Sequence, residues 1–306
     1  MEQDGNTTGA ALSEAVQQQL ARLLAQPPAP GLHLVATPIG HLGDITLRAL
    51  TVLAGADHLY CEDTRQTHKL LERYGIKRAL RLYHEHNAET ERPRIMAALE
   101  QGQSIALVSD AGTPLVSDPG FKLVREAAAA GYPVTAVPGA SAVLAGLTVA
   151  GLPTDSFHFG GFLPAKQGQR RERIQTLATI PATLVLFEAP QRLGATLEDL
   201  FELLGDRPAA LARELTKLHE EIVRGRLGEL ALRYRQAEPK GECVLLIGAA
   251  EAVAATDEAI ATLLTDALRT MSARDAAEIV ARQLGVPRKR VYALAIGRAR
   301  PVEGDA

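Results

Sequence analysis

"SIALVSDAGTPLVSDPG", residues 104–120, decides how this chain folds. A short apolar run passes straight into a segment with two aspartates, two glycines and two prolines. An apolar strand without polar alternation marks a parallel sheet covered on both faces. Open α/β sheets place their ligands at the carboxyl end of the strands, where this loop stands. Gly112 can take a positive φ, and Pro114 stiffens the turn behind it. No Gly-Lys-Ser/Thr follows, so this is not a triphosphate-binding loop. "ATPIGHLGD" (residues 36–44), after the first strand, likewise lacks G-x-G-x-x-G. Exposed backbone groups here suit a polar ligand without phosphate, and Asp110 and Asp118 favour a cation. A plain strand-to-helix turn with capping aspartates would carry the same residues.

The alternation repeats outward from this stretch. "LHLVAT" precedes "ITLRALTVLAGA", "HLYCED" precedes "TRQTHKLLERYG", and "ALRLYHEH" precedes "ERPRIMAALEQG". Beyond the loop come "FKLVREAAAAG", "PVTAVPGA" and "SAVLAGLTVAG". This predicts a mainly parallel sheet flanked by helices over 31–150. A second α/β domain over 151–250, with tighter turns and a strand pair around 224–228, predicts a mixed sheet. Over 251–306 the strand signal gives way to helices, a small appended module. Residues 1–30 are polar, close with "QPPAPG", and read as a flexible tail with room for a short helix over 12–24.

Composition narrows the function. A length of 306 residues and 46% hydrophobic content suffice for two cored domains. The net charge of −3 gives no global attraction to nucleic acid or anionic lipid, so any RNA site must be a local patch. Two widely separated cysteines, Cys61 and Cys243, fit neither a zinc site nor a disulfide framework, and suit a reducing cytosol. Glu2, Asp4 and Glu14 argue against a secretory signal. The uncharged run over 127–154 is broken by Gly131, Pro133, Pro138 and Pro153, so a soluble strand, turn and helix explain it better than a membrane span. His84 and His86 would share one strand face, yet no third ligand completes a metal site.

Other strand ends carry chemistry. "CEDTR" (residues 61–65) offers Glu62, Asp63 and Arg65. "VPGASA" (residues 137–142) lacks the last glycine of a nucleophile elbow, so Ser141 reads as a helix N-cap. "FEAPQR" and "ARELTKLHEE" each place an acid near an arginine, as Glu188 with Arg192 and Arg213 with Glu214. At the end of the chain, a helix, a Gly-Val-Pro turn and a basic helix collect Arg288, Lys289, Arg290, Arg298 and Arg300, which suits docking on an RNA backbone.

"TPIGHLGDIT", "EDTR", "SDAGTPLVSDPG", "VPGASA", "FEAPQR", "ARELTK" and "GECVLLIG" together resemble, in order, the tetrapyrrole-methyltransferase superfamily. Within it they are most similar to the ribosomal small-subunit RNA (cytidine-2′-O)-methyltransferases. The resemblance implies a homodimer and S-adenosylmethionine bound in a cleft between the two α/β domains. The implied cofactor residues are Pro38; Asp110, Gly112, Thr113, Pro114, Ser117 and Asp118; Pro138, Gly139, Ser141 and Ala142; and Glu214 and Gly241. Glu62, Arg65 and Glu188 are the catalytic candidates. Arg192, Arg213, Arg288, Lys289 and Arg290 are the candidates for holding RNA, with 16S RNA of the small subunit as substrate. His41 and Gln191 stand where the family usually has Asn and His. A methyltransferase for a tetrapyrrole, or a non-catalytic RNA-binding assembly factor, are the competing expectations.

Overall fold

The computed structural model describes residues 4–237, 239–250 and 256–299. The chain divides into two compact units, Met1–Ala249 and Ala250–Ala306. The first opens with helix α1 (Asp4–Leu24). The segment expected to be a flexible tail thus holds a 21-residue helix, largely exposed and starting before residue 12.

Next come β1 (Gly31–Val35), α2 (Leu47–Gly55), β2 (His58–Cys61), α3 (Thr64–Arg73), β3 (Leu80–Leu82), α4 (Ala88–Glu100), β4 (Ser104–Val108), α5 (Phe121–Ala129) and β5 (Val134–Val137). The five strands form a parallel sheet in the order β3-β2-β4-β1-β5. Every residue of β4 is buried. Ala106 and Val108 pack with Val52 and Leu53 of α2 and Leu71 of α3. Ile105 and Leu107 pack on the opposite face with Ile95 and Leu99 of α4 and Leu123 of α5. Burial on both faces is what the unalternating apolar run demands.

One expectation fails here. His84 and His86 do not lie on a strand, because β3 ends at Leu82. The Asn87 side chain accepts from the His84 amide (2.8 Å) and donates to the Leu82 carbonyl (2.9 Å), which curls the chain into a turn. Among the described residues, no group of three or more His, Cys, Asp or Glu side chains could hold a metal.

The link to the second sheet is α6 (Ala142–Val149). There follow β6 (Phe157–Phe162), α7 (Gln167–Ala178), β7 (Thr183–Glu188), α8 (Leu193–Leu204), β8 (Pro208–Arg213), β9 (Glu221–Arg226), α9 (Leu227–Tyr234) and β10 (Cys243–Ile247). The order is β6-β7-β10-β8-β9, with β6 parallel to β7 and the other pairs antiparallel. One face packs on α7, α8 and α9 through Leu177, Leu197 and Leu230. The other receives Val143 and Leu147 of α6 against Val185, Ala210 and Leu246. The two sheets are therefore joined by a helix that belongs to the core of the second.

The second unit contains α10 (Asp257–Ala267), α11 (Ala273–Leu284) and α12 (Arg288–Ala299) around Ile260, Leu264, Val280 and Val291. Gly285 ends α11 in the left-handed conformation (φ 63°), and Pro287 precedes α12, giving a helix-turn-helix. Among the described residues, no helix is long and apolar enough to cross a membrane.

Candidate active site

Strand ends of the first sheet are stitched into one rim. The Thr37 amide donates to the Gly112 carbonyl (2.9 Å), and the Gly112 amide returns the bond to Thr37 (3.0 Å). Thr37 Oγ1 also donates to the Ser109 carbonyl (2.9 Å). Gly112 sits at φ 75°, and a Cβ there would lie 3.3 Å from Ile39 Cγ2. Thr113 Oγ1 reaches the Ala140 carbonyl (3.3 Å), and a Cβ on Gly139 would come within 3.0 Å of the Ala36 methyl. Pro38 and Pro138 stand in the loops after β1 and β5. Ser141 caps α6, its hydroxyl accepting from the Leu144 amide (3.5 Å).

Backbone strain marks two loops. Among the described residues, the non-glycine residues with positive φ are Leu115 (72°), Ser117 (66°), Glu214 (51°) and Thr216 (63°). The first two follow β4 and the last two follow β8. Such conformations cost about 1–3 kcal/mol each and persist where the surroundings over-determine them, as at ligand sites. The β8 loop also meets the β1 loop. The His41 amide donates to Thr216 Oγ1 (3.0 Å), while His41 Nδ1 accepts from the Gly43 amide (3.1 Å). Gln191 stands exposed in the 3₁₀ turn Pro190–Arg192.

Between the sheets lies a cleft of about 390 Å³. Ile39, Gly112, Thr113, Ser117, Asp118, Ser141 and Ala142 line it from one side; Phe162, Phe187, Glu188, Ala189, Gly241 and Cys243 line it from the other. Phe162 and Phe187 meet edge to face at 5.5 Å. Carboxylates Asp118, Glu188 and Glu242 border the cleft, and among the described residues no lysine or arginine does. Pro114 borders a smaller hollow beside it, shared with Glu62 and Asp118.

The acids of the first rim are weakly neutralised. Burial raises the pKa of Glu62, and Asp118 and Asp110 raise it further. Asp118 is pushed up by burial, against the hydrogen bond it accepts from Ser109 Oγ. Asp110 is raised by burial while it accepts from the Asp63 amide (3.1 Å). Arg65 does not reach into this group. Its guanidinium pairs with Asp63 through Nε (3.1 Å) and Nη2 (2.8 Å), and that hydrogen bonding lowers Asp63 to about 2.

The acids of the second half are neutralised almost completely. Glu188 is 2% exposed. Its Oε1 accepts from the Ala189 amide (2.7 Å) and Arg192 Nε (2.7 Å), and its Oε2 accepts from Thr196 Oγ1 (2.6 Å). Arg213 pairs with Glu221 (3.1 Å) and donates to the Lys240 carbonyl (2.9 Å). Glu214 accepts from Lys217 Nζ (2.8 Å) and the Glu242 amide (3.0 Å), and the lysine hydrogen bond is the main reason its pKa is lowered. A Cβ on Gly241 (φ 94°) would sit 2.2 Å from Glu214 Oε1, so only glycine fits beside that carboxylate. Burial pushes the Cys243 thiol up to about 11, which leaves it unreactive at neutral pH.

In the helix-turn-helix unit, Arg290 is held by Asp257 of α10 (2.7 Å). Arg288 makes a 3.8 Å contact with Glu278, the only ion pair of its guanidinium among the described residues. Arg274, Arg288, Lys289 and Tyr292 surround a groove of about 460 Å³. Arg274 was not singled out from the sequence, because it lies fourteen residues before Arg288 and joins it only through the turn. Arg300 lies outside the described residues, as does the side chain of Arg298.

Two parallel-containing α/β sheets facing across a cleft define a fold that solved structures share. A diphthine synthase superposes with a TM-score of 0.57 at 21% identity, covering 71% of this chain and 89% of that one. A uroporphyrin-III C-methyl transferase from Thermus thermophilus, complexed with S-adenyl homocysteine, superposes at 0.50 and 24% identity, covering 71% and 97%. Residues 31–231 match the family of tetrapyrrole (corrin/porphyrin) methylases, and residues 254–299 match an RsmI C-terminal HTH domain. A ribosomal RNA small subunit methyltransferase I from Mesorhizobium japonicum is 52% identical over 270 residues, covering 88% of this chain and 92% of its own length. The chain belongs to the tetrapyrrole methylase family and, within it, to the group of ribosomal RNA small subunit methyltransferases I: it is an S-adenosylmethionine-dependent methyltransferase.

The cleft fits that cofactor. Its walls are apolar, its loops approach through glycine backbone, and its polar residues are hydroxyls and carboxylates that tolerate a sulfonium cation. A phosphorylated ligand would meet those carboxylates without a lysine or arginine among the described lining residues to hold it.

Proposed function

We propose that this methyltransferase modifies the 2′-hydroxyl of a cytidine ribose in 16S ribosomal RNA of the small subunit, acting in the cytoplasm as a homodimer. The observation that carries the reading is the 52% identity over 88% of the chain to a protein named for small-subunit ribosomal RNA, together with the basic groove of the helix-turn-helix unit. On this reading, residues 31–150 and 151–250 are the two halves that hold the cofactor, and residues 251–306 are the RNA-holding module.

Bound cofactor supplies a methyl group on a sulfonium. The chain's task is then to hold the hydroxyl in line and to accept its proton. Glu62 is the acceptor favoured by its surroundings, since burial and two neighbouring acids make it more basic than an ordinary carboxylate. Glu188 instead anchors the cleft wall, because Ala189, Arg192 and Thr196 already occupy its oxygens. Pro38, Gly112, Thr113, Ser117, Gly139 and Gly241 offer the backbone and small side chains of the cofactor cradle. Arg288 and Lys289 suit RNA phosphates better than Arg290, which is tied to Asp257. A ribose hydroxyl acting as nucleophile needs its nucleotide unstacked, as base-modifying enzymes require of theirs.

Incubating the protein with tritiated S-adenosylmethionine and small subunits, free 16S RNA or a porphyrinogen, in parallel, tests this. Label in RNA that digests to 2′-O-methylcytidine is the expected result. Label in the porphyrinogen alone would replace the reading with a tetrapyrrole methyltransferase.

A further inference from the structure

The arginines first assigned to RNA in the two-sheet unit, Arg192 and Arg213, are both engaged: one by Glu188, the other by Glu221. Lys217 is engaged by Glu214 and Glu242. A substrate strand entering that cleft must find other cations, and two helices leaving the rim offer them.

The first is α3, which begins two residues after Glu62. Arg65, Lys69 and Arg73 recur at i, i+4 and i+8, with His68 beside them, so they form one stripe. All four are exposed. His68, Lys69 and Arg73 have no hydrogen-bond or ion-pair partner among the described residues, and Glu72 is the only acid on the helix. Arg65 and His68 also border a hollow of about 380 Å³ with Thr64 and Arg78. The Asp63 carboxylate fixes the Arg65 guanidinium at the head of this stripe.

The second is α5, which starts directly after the quoted loop, at Phe121. That ring is 66% exposed, and the Arg125 guanidinium lies 5.7 Å from its centroid. Exposed aromatic rings with an arginine beside them are the platforms on which unpaired bases stack. The two helices start from adjacent strands, β2 and β4, and pack on opposite faces of the sheet. Between their starts, Glu62, Asp118 and Pro119 border one small hollow.

We propose that single-stranded RNA crosses this rim over Glu62, with its phosphodiesters on the α3 stripe (His68, Lys69, Arg73) and a flanking base stacked on Phe121. The proposal rests on the RNA-methyltransferase reading above and adds a substrate contact in the two-sheet unit to the one in the helix-turn-helix unit.

The test uses the full-length protein with small ribosomal subunits. One variant combines His68→Ala, Lys69→Ala and Arg73→Ala; these substitutions favour helix and remove no partnered interaction. A second is Phe121→Ala. The KM for subunits is measured across a salt series, alongside calorimetric S-adenosylmethionine affinity and melting temperature.

In the triple variant the KM rises and the slope of log KM against log salt flattens by about 0.7 for each lost phosphate contact. Phe121→Ala raises the KM about tenfold with the slope unchanged, the signature of lost stacking. Cofactor affinity and melting temperature stay at wild-type values in both. A charge-preserving Lys69→Arg, Arg73→Lys variant keeps the wild-type slope. Wild-type KM and slope in the triple and Phe121 variants overturn the proposal while the function stands. A wild-type protein that methylates no RNA removes the function, and the proposal with it.

Discussion

Each half of the two-sheet unit brings acids and arginines to its strand ends, and the two halves use them differently. In the first, Arg65 turns away to Asp63, leaving Glu62, Asp110 and Asp118 with pKa values raised chiefly by burial, and Glu62 further by its two acidic neighbours. In the second, Arg192 closes on Glu188, Arg213 on Glu221 and Lys217 on Glu214. The first arrangement keeps proton-accepting capacity at a cost in electrostatic energy. The second occupies the carboxylate oxygens with partners and fixes the shape of the cleft wall. Proximity of opposite charges is common to both, so what separates chemistry from scaffolding is whether the cation faces the acid.

The sharpest way to break this contrast is to neutralise one acid from each half. Glu188→Gln should lower stability by about 3 kcal/mol, because it leaves the Arg192 charge without its buried partner. Thermal and urea unfolding measure that. Glu62→Gln should leave the melting temperature unchanged or raised, and lower turnover about a hundredfold with cofactor affinity intact. Equal stability losses in the two would erase the distinction.

Gly112→Val tests the cradle rather than the acids. A β-branched residue at φ 75°, with its Cβ against Ile39, should weaken calorimetric cofactor binding at least about tenfold. Wild-type affinity in a folded variant would take the loop out of the site.

The smallest effect is in pH. If Glu62 accepts the proton as proposed, turnover rises as pH climbs through its raised pKa and is lost below it. Asp118→Asn removes a like charge, and the acid limb of kcat should move to lower pH by a fraction of a unit. The stability linkage runs the other way. A carboxyl with a raised folded pKa takes its proton in the native state first, so the acid cluster costs stability at neutral pH. That cost fades as pH falls through the raised value toward the unfolded one.

The first sheet was legible because β4 reads Ile-Ala-Leu-Val with no polar residue breaking the run, and its neighbours are short and mostly apolar. The mixed second sheet showed in its shorter turns. The strand-end loops were legible as tight turns from their glycines and prolines, since turn chemistry is local, and several of them line the cleft between the sheets. Pairing was not legible. Nothing in "FEAPQR" states that Thr196, eight residues from Glu188, closes the cage around it. Nothing in "PRKR" shows that Arg290 turns to Asp257, thirty-three residues away in sequence, while Arg274 joins Arg288 and Lys289. His84 and His86 misled because strand length is set by a side-chain hydrogen bond from Asn87, and alternation is blind to it.

Helix α6 starts in the wall of the cofactor cleft, at Ala142, and ends inside the second sheet's core, where Leu147 packs against Leu246 and a Cβ on Gly146 would come 3.2 Å from Val244. The width of the cleft is therefore written partly in residues that never meet the ligand. Over evolutionary time, drift at Leu147, Ala210 or Leu246 is exposed to selection through cofactor occupancy as well as through folding. Substitutions there should be accepted in compensating pairs that conserve volume, giving the second sheet's inner face a slower clock than its outer one.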